Sequence, residues 1–190
     1  MVGSMGTLRI VAGAKRGHRL KVPKEAGLRP TGEKVREAVF DVLGPVAGLR
    51  GLDLFAGTGA LGLEALSRGA ASCVFVEADP AVAAVLRGNI STLGYEQATR
   101  VIVADYRRAA GLLAAPAPAF DLLFLDPPYR MLPDVEVALS PLLPGLVTND
   151  GLVVIEGSRA SRVSFGQVVV FDRLYGDTRI LMVKMGREWL

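Results

Sequence analysis

The chain contains a single cysteine, a single histidine and a single tryptophan among its 190 residues. One cysteine, Cys73, cannot form an internal disulfide, and one histidine, His18, cannot anchor a zinc site of the usual kind, so we expect no metal. A serine hydrolase would have to use His18, which lies in a basic stretch far from any nucleophile elbow. No run of about 18 uncharged apolar residues is present, so no transmembrane helix is expected. The chemistry is therefore predicted to depend on carboxylates, backbone groups and a cofactor.

Positive charge is concentrated at one end of the chain. The first 50 residues carry ten Lys or Arg and four acidic residues, whereas the remainder carries twelve and fifteen. A basic end on an acidic body favours contact with a polyanion, and a solvated basic surface is the alternative. Hydrophobic residues make up 51% of the chain, which is enough for the core of a globular domain. We expect a basic extension over residues 5–47 and a main domain over residues 48–190.

The hydrophobic pattern predicts an α/β fold. Alternation over residues 8–11 and 18–22 predicts a β-hairpin with Lys15 and Arg16 at its tip. After it, strand-like and helix-like segments alternate, which is typical of a doubly wound, Rossmann-like parallel sheet, and a terminal hairpin adds an antiparallel edge. In such a sheet the fourth strand of the main domain lies beside the first. The predicted strands of the main domain are 50–55, 72–76, 100–104, 120–125, 151–155, 167–174 and 178–185, and the predicted helices are 31–43, 60–67, 80–93, 106–113 and 132–143.

A glycine-rich loop lies where the first of these strands turns into a helix. Gly57, Gly59 and Gly62 match G-x-G-x-x-G, a pattern shared by binders of nicotinamide, flavin and S-adenosylmethionine (SAM). Asp53, four residues before Gly57, favours SAM. A carboxylate is unfavourable beside the phosphates of a dinucleotide but favourable beside the cationic amino-acid end of SAM.

Acidic residues also follow the next two strands. Glu77 closes the second strand, where an acid can bind both ribose hydroxyls of SAM or of NAD. Asp105 closes the third and is predicted either to accept from the adenine amine or to cap the following helix. Asp79 is predicted to be a helix cap, and Glu64 to pair with Arg68. The residues predicted to bind the cofactor are Asp53, Phe55, Ala56, Gly57, Thr58, Gly59, Glu77, Ala78, Asp105 and Tyr106.

A tetrapeptide follows the fourth strand and consists of Asp126, Pro127, Pro128 and Tyr129. Because the fourth strand is expected beside the first, the tetrapeptide should lie beside the glycine loop. A strand-end turn is the alternative interpretation, because prolines often end strands. An exocyclic amine on a base is a poor nucleophile because its lone pair is delocalised into the ring. Acceptors on its two N–H groups, here the Asp126 carboxylate and the Pro127 carbonyl, would localise that lone pair toward a methyl donor. These four residues are the predicted catalytic residues.

Tyr129 would offer a flat face to the base, a contact worth roughly 1–3 kcal/mol. The base must leave its stack to reach such a pocket. Methyl transfer would then be an in-line displacement driven by positioning, with no metal. Water is the expected final acceptor of the amine proton, and Asp126 is the alternative acceptor.

The glycine loop and the tetrapeptide together resemble class I SAM-dependent methyltransferases that act on exocyclic amines. With Arg29-Pro30-Thr31, Val35-Arg36-Glu37, Phe40 and Tyr175-Gly176-Asp177-Thr178, the chain from about residue 8 to 183 is identified as a member of the RsmD family. These are bacterial methyltransferases of a guanine N2 amine in 16S rRNA. The resemblance implies SAM as methyl donor, S-adenosylhomocysteine as product, a seven-stranded mixed sheet, an N-terminal hairpin that helps to hold RNA, and a cytoplasmic location.

The expected partner is 16S rRNA or the small ribosomal subunit, bound by a monomer. The alternatives are an adenine-N6 or other nucleic-acid amino-methyltransferase, a dinucleotide-binding oxidoreductase, which would leave the tetrapeptide unexplained, and a non-catalytic RNA-binding module. Intact acids at the strand ends disfavour the last of these. The residues predicted to contact RNA are Arg9, Lys15, Arg16, Arg19, Arg29, Arg36 and Arg130.

Overall fold

A mixed seven-stranded sheet flanked by helices forms the body of the protein, in a computed structural model that describes residues 8–22, 32–114 and 120–186. The strands are β1 (Leu8–Arg9), β2 (Arg19–Leu20), β3 (Arg50–Asp53), β4 (Ser72–Glu77), β5 (Thr99–Val103), β6 (Phe120–Leu125), β7 (Val147–Ser158), β8 (Val168–Tyr175) and β9 (Thr178–Lys184). The helices are α1 (Glu33–Leu43), α2 (Ala60–Ser67), α3 (Pro80–Leu93), α4 (Tyr106–Leu113), α5 (Leu132–Leu139) and α6 (Leu143–Leu146).

The strand order in the large sheet is β5-β4-β3-β6-β7-β9-β8. The first five strands in this order are parallel, and β9 runs antiparallel to both β7 and β8. The predicted α/β class with a doubly wound, Rossmann-like mixed sheet is therefore confirmed, as is the adjacency of β3 and β6. Among the described helices, none has the length and apolar character needed to cross a bilayer.

One predicted element is wrong. The sequence pattern predicts a single helix over residues 132–143, but α5 ends at Leu139 and a separate short helix begins at Leu143. Pro141 lacks the N–H that would continue the helical hydrogen bonds past Ser140, so the chain turns there. The strand that follows, β7, begins at Val147 and is longer than predicted, because its early residues also pair with the start of β6.

The N-terminal hairpin and α1 pack against the body instead of standing apart from it. Leu8, Ile10 and Leu20 belong to the same hydrophobic cluster as Phe40 of α1 and Leu63 of α2. Burial of these apolar side chains against each other is the main attraction that holds the hairpin and α1 on the body.

Polar contacts from α2 fix the loop of the hairpin. The carboxylate of Glu64 is fully buried and accepts from the backbone N–H groups of Val11 at 2.7 Å and Ala12 at 2.9 Å. It also pairs with Arg68 at 2.9 Å, as predicted. The Ser67 hydroxyl accepts from the N–H of Lys15 at 2.9 Å, and the Ser67 carbonyl accepts from Ala14 at 2.7 Å. The hairpin is therefore held in one orientation on α2.

Gly13 allows this close approach, and its replacement is expected to disrupt it. Gly13 has φ +80° and a Cβ there would lie 1.8 Å from the Ser67 carbonyl oxygen, whereas Gly17 has φ +82° with nothing within 4 Å of a Cβ. Gly17→Ala should therefore cost only the left-handed backbone penalty, about 1–2 kcal/mol. Gly13→Ala should cost about 1–3 kcal/mol more, because the hairpin must move off α2. Urea unfolding measures both losses, and equal losses in the two variants would contradict this close packing.

Candidate active site

The glycine loop and the Asp126–Tyr129 tetrapeptide both follow strands at the centre of the sheet. Asp53, the last residue of β3, pairs with Phe124 of β6 in parallel register, and the Leu54 N–H donates to the Phe124 carbonyl at 3.2 Å. The two segments therefore leave the same edge of the sheet from neighbouring strands. In open α/β sheets this edge is where ligands bind.

Two glycines of the glycine loop have the left-handed backbone that other residues rarely adopt, and one of them, Gly59, also has no room for a Cβ. Gly57 has φ +53° and Gly59 has φ +84°, and a Cβ on Gly59 would lie 2.4 Å from Cδ1 of Leu86. The Ala56 N–H donates to the Val76 carbonyl at 3.0 Å, which holds the loop against the end of β4. Because Gly57 and Gly59 carry no side chain, a ligand can approach the backbone of the loop closely.

Glu77, the last residue of β4, contacts the glycine loop. One carboxylate oxygen accepts from the Gly57 N–H at 2.9 Å and the other from the Asp79 N–H at 2.9 Å. The carboxylate therefore joins the glycine loop to the start of α3. Asp79 in turn caps α3 by accepting from the N–H of Ala81 at 2.7 Å, which confirms its predicted role.

Asp53 lies behind the loop, with only 2% of its surface exposed. Burial, and to a smaller extent the nearby Glu77 carboxylate, raise the pKa of Asp53, hydrogen bonds from the Gly62 and Phe55 N–H groups lower it, and the resulting pKa is about 7. The Gly62 bond is long, at 3.4 Å. The negative charge of Asp53 is thus poorly compensated, and a cation bound nearby would stabilise it.

Asn89 joins the glycine loop to the N-terminal hairpin. Its side-chain amide N–H donates to the carbonyls of Thr58 at 2.9 Å and Lys21 at 3.1 Å, and its oxygen accepts from the Lys21 N–H at 2.8 Å. Asn89 is buried on α3 between the apolar residues Leu86 and Ile90. Its role was not predicted from the sequence, although an amide on the apolar face of a helix is a signal of such a role.

The remaining cofactor candidates lie around the ends of β3, β4 and β5. Asp105 caps α4 by accepting from the Arg107 N–H at 2.9 Å, so the helix-cap interpretation is confirmed, while an adenine contact stays a prediction. Tyr106 is buried, and its ring centroid lies 4.9 Å from that of Phe55. Ala56 and Thr58 are buried in the loop, and Ala78 is exposed after β4.

The tetrapeptide begins with a half-buried Asp126 and a buried Pro127, followed by an exposed Pro128. Tyr129 is 38% exposed, and its hydroxyl donates to Oε1 of Glu156 at 3.3 Å and contacts Oγ1 of Thr178 at 3.1 Å. Burial raises the pKa of Tyr129, so the hydroxyl is neutral and can donate at physiological pH. The order of residues therefore places an acid at the strand end and an accessible ring just beyond it.

The predicted RNA contacts fall into three groups. The predicted RNA contact at Arg36 is wrong. Its side chain is fully buried and its guanidinium donates to the Arg9 carbonyl, so it cannot reach a phosphate. Burial lowers the pKa of Arg36, while the Glu64 and Glu33 carboxylates act in the opposite direction. Arg29 lies outside the described residues. The accessible candidates are Arg9, Lys15, Arg16 and Arg19 on the hairpin and Arg130 after Tyr129.

Comparison with known proteins identifies the family that shares this arrangement. The model of the family described as Conserved hypothetical protein 95 matches residues 8–184. Ribosomal RNA small subunit methyltransferase D of Escherichia coli K12 is 45% identical over 126 residues, which are 66% of this chain and 62% of that protein. The chain belongs to the RsmD family. The "Putative rRNA methyltransferase YlbH" of Bacillus subtilis is 36% identical over 186 residues, covering 93% of this chain and 98% of that protein.

Solved structures share the fold of this chain. The hypothetical protein TTHA0928 of Thermus thermophilus is 35% identical, with a TM-score of 0.81 over 94% of this chain and 100% of that chain. The structure of SMU.776 complexed with SAH shares the fold, with a TM-score of 0.66 and 16% identity over 84% of this chain and 50% of that chain. Membership of the RsmD family confirms the predicted enzyme class, a methyltransferase, and with it the predicted cofactor, SAM. Within the described residues, no three His, Cys, Asp or Glu residues are grouped so as to hold a metal ion.

Proposed function

We propose that this chain transfers a methyl group from SAM to the exocyclic N2 amine of a guanine in 16S rRNA. The observation that carries the proposal is the parallel pairing of β3 with β6, because the glycine loop and the Asp126 tetrapeptide follow the ends of these two strands. The name of the E. coli relative, a small-subunit rRNA methyltransferase, supports this substrate. An oxidoreductase would give the tetrapeptide no role.

The residues at the ends of β3, β4 and β5 would hold SAM. We expect the Glu77 carboxylate, which the N–H groups of Gly57 and Asp79 hold in place, to accept hydrogen bonds from the ribose hydroxyls of SAM. The negative charge of Asp53 would compensate the cationic amino-acid end of SAM, and the backbone of the glycine loop would lie against the ligand. When bound, SAM supplies a methyl group whose bond to the sulfonium sulfur breaks as the amine nitrogen bonds to the carbon. Phe55, Ala56, Thr58, Ala78, Asp105 and Tyr106 complete the proposed cofactor site.

The tetrapeptide would prepare the amine. Asp126 and the Pro127 carbonyl accept hydrogen bonds from its two N–H groups and localise the lone pair on nitrogen. Pro127 and Pro128 bring no backbone N–H that could compete for these acceptors. Tyr129 stacks on the base, which must be displaced from its RNA stack. The amine proton is released to water after transfer.

The extension, proposed to span residues 5–47 beside a catalytic domain at residues 48–190, would dock the RNA in the bacterial cytoplasm. Lys15 and Arg16 lie on the hairpin loop that Glu64 and Ser67 hold against α2. A fixed basic loop can contact phosphates without itself being ordered by the RNA, which favours binding.

Charge reversal at Lys15 and Arg16 is expected to weaken RNA binding. Loss of phosphate contacts should lower the affinity for 16S rRNA about tenfold or more and flatten its salt dependence, while the affinity for SAM stays within twofold. Filter binding at several salt concentrations measures this. Charge reversal at Arg108 and Lys184 is the matched control, because it changes the same charge at two exposed residues whose neighbours Ala109 and Val183 pack in the other hydrophobic cluster, away from the hairpin. Equal losses in the control would contradict a docking role for the hairpin loop.

The activity itself is tested with tritiated SAM and small ribosomal subunits, or naked 16S rRNA, from cells that lack the family enzyme. We expect one labelled nucleotide, recovered as N2-methylguanosine after digestion. Recovery of N6-methyladenosine would replace the guanine proposal with the adenine alternative. Binding of NAD in preference to SAM would contradict the proposal altogether.

A further inference from the structure

The hydroxyl of Tyr129 contacts the side chains of two residues that lie on strands of the sheet. The hydroxyl lies 3.3 Å from Oε1 of Glu156 on β7 and 3.1 Å from Oγ1 of Thr178, the first residue of β9. Tyr129 itself lies in a short turn between β6 and α5, where the Met131 N–H donates to the Pro128 carbonyl at 2.7 Å. Without the two hydroxyl contacts, the side chain of this turn residue would be free to change rotamer.

The backbone around Thr178 is itself fixed. Thr178 pairs with Ser158 in the antiparallel register of β7 and β9. The tight turn before it, Gly176 and Asp177, is tied to Arg159: the Arg159 N–H donates to the Asp177 carbonyl at 2.9 Å, and its guanidinium donates to the Gly176 carbonyl at 3.0 Å. The hydroxyl of Thr178 is therefore presented to Tyr129 from a rigid strand end.

Glu156 approaches Tyr129 from the neighbouring strand. It is 6% exposed and follows Ile155, which pairs with Leu125 in parallel register immediately before Asp126. The buried carboxylate is thus fixed by the sheet, at the same strand-end edge as Asp126. An acceptor that cannot move holds the tyrosine hydroxyl in one direction.

We infer that Thr178 and Glu156 are positioning residues that fix the ring of Tyr129 as the stacking surface for the target base. The inference rests on the proposed function, and it gives a role to the Tyr175-Gly176-Asp177-Thr178 segment. An ordered ring face removes the entropic cost of fixing that side chain when the base arrives. The exposed part of Tyr129 remains open to the base because both contacts are made at the hydroxyl end.

A double-mutant cycle tests whether Thr178 acts through the Tyr129 hydroxyl. Thr178→Val, which keeps the shape but removes the hydroxyl, should lower kcat/KM for RNA roughly three- to tenfold, as expected for one hydrogen bond. Tyr129→Phe should have a similar or larger effect, and adding Thr178→Val to it should change nothing further. Thr178→Ser, which keeps the hydroxyl, is the control and should stay within twofold of the wild type. Multiplicative effects of the two substitutions would overturn the inference.

A second measurement does not depend on activity. With tyrosine labelled by 13C at Cζ, Tyr129→Phe assigns the Tyr129 signal, and Thr178→Val should shift it while the signals of Tyr95 and Tyr106 stay in place. An unshifted Tyr129 signal in folded Thr178→Val protein would contradict the contact. If the wild type does not methylate RNA, the proposed function fails, whereas the NMR result still decides whether Thr178 holds the ring.

Discussion

Replacement of Asp126 with alanine is expected to lower kcat for methyl transfer by about 10²–10³-fold, the range seen when a group that stabilises developing charge is removed. The alanine removes the carboxylate acceptor proposed to localise the lone pair of the amine, and only the Pro127 carbonyl remains. Affinity for SAM should stay within a few-fold, because the glycine loop and Glu77, the proposed cofactor contacts, are joined by hydrogen bonds that do not involve the tetrapeptide. Single-turnover transfer from tritiated SAM and calorimetric titration of SAM measure the two quantities.

Asp126→Asn separates the acceptor from the charge. The amide keeps one oxygen acceptor of similar shape, so we expect this variant to be more active than Asp126→Ala and less active than the wild type. Full activity in Asp126→Ala would remove the carboxylate from the mechanism. A loss of SAM affinity as large as the loss of kcat would instead place Asp126 in the cofactor site.

The buried carboxyl of Asp53 is expected to make the free protein less stable as the pH rises. Its pKa is about 7 in the folded state, against 3.8 for the ordinary carboxyl. The folded state therefore binds the proton more tightly than the unfolded state. Stability from this group is lost between about pH 4 and pH 7 and is constant above that, with a total of up to about 4 kcal/mol.

Urea unfolding without SAM at pH 5, 6, 7 and 8 measures this effect, with Asp53→Asn as the matched control. The amide does not titrate, so the free energy of unfolding of the variant should increase relative to that of the wild type as the pH rises to about 7. This difference isolates Asp53 from the exposed carboxylates that also titrate. Parallel pH profiles for the two proteins would show that the carboxyl is not buried as described.

The same titration should appear in cofactor binding. If the cationic end of SAM selects the ionised form of Asp53, the affinity of the wild type should rise about tenfold per pH unit from pH 5.5 to near 7. Asp53→Asn should bind SAM more weakly and with little dependence on pH over this window. A wild-type affinity independent of pH would assign Asp53 to holding the loop alone, through its bonds with Gly62 and Phe55.

Much of the fold follows from local sequence patterns. The bounds of α2, α4 and β6 agree with those predicted, because α2 and β6 are short apolar runs, α4 is amphipathic, and both helices have a clear signal at their start, Gly59 before α2 and Asp105 before α4. The adjacency of β3 and β6 follows from the general topology of doubly wound sheets. The predicted helix over 132–143 failed at Pro141, where the apolar pattern continues but the backbone hydrogen bonds cannot.

The roles of single polar residues were harder to predict from the sequence than the strands and helices. Arg36 has the charge and position expected of a phosphate contact, but it is buried against the Arg9 carbonyl. Glu64 forms its predicted ion pair with Arg68 and also accepts from two N–H groups of the hairpin loop. Both roles depend on partners from segments far away in the chain, and sequence periodicity carries no information about such partners.

The sequence by itself determined the alternation of strands and helices, the glycine loop and the acid-proline-proline-tyrosine segment, since each depends on backbone preferences and spacing within a few residues. Only the tertiary structure decided that Asn89 joins the hairpin to the Thr58 carbonyl and that Thr178 and Glu156 reach the Tyr129 hydroxyl. The physical reason is the range of the interactions. A hydrogen bond between side chains from different strands requires a register and an orientation that are fixed only when the whole sheet is packed.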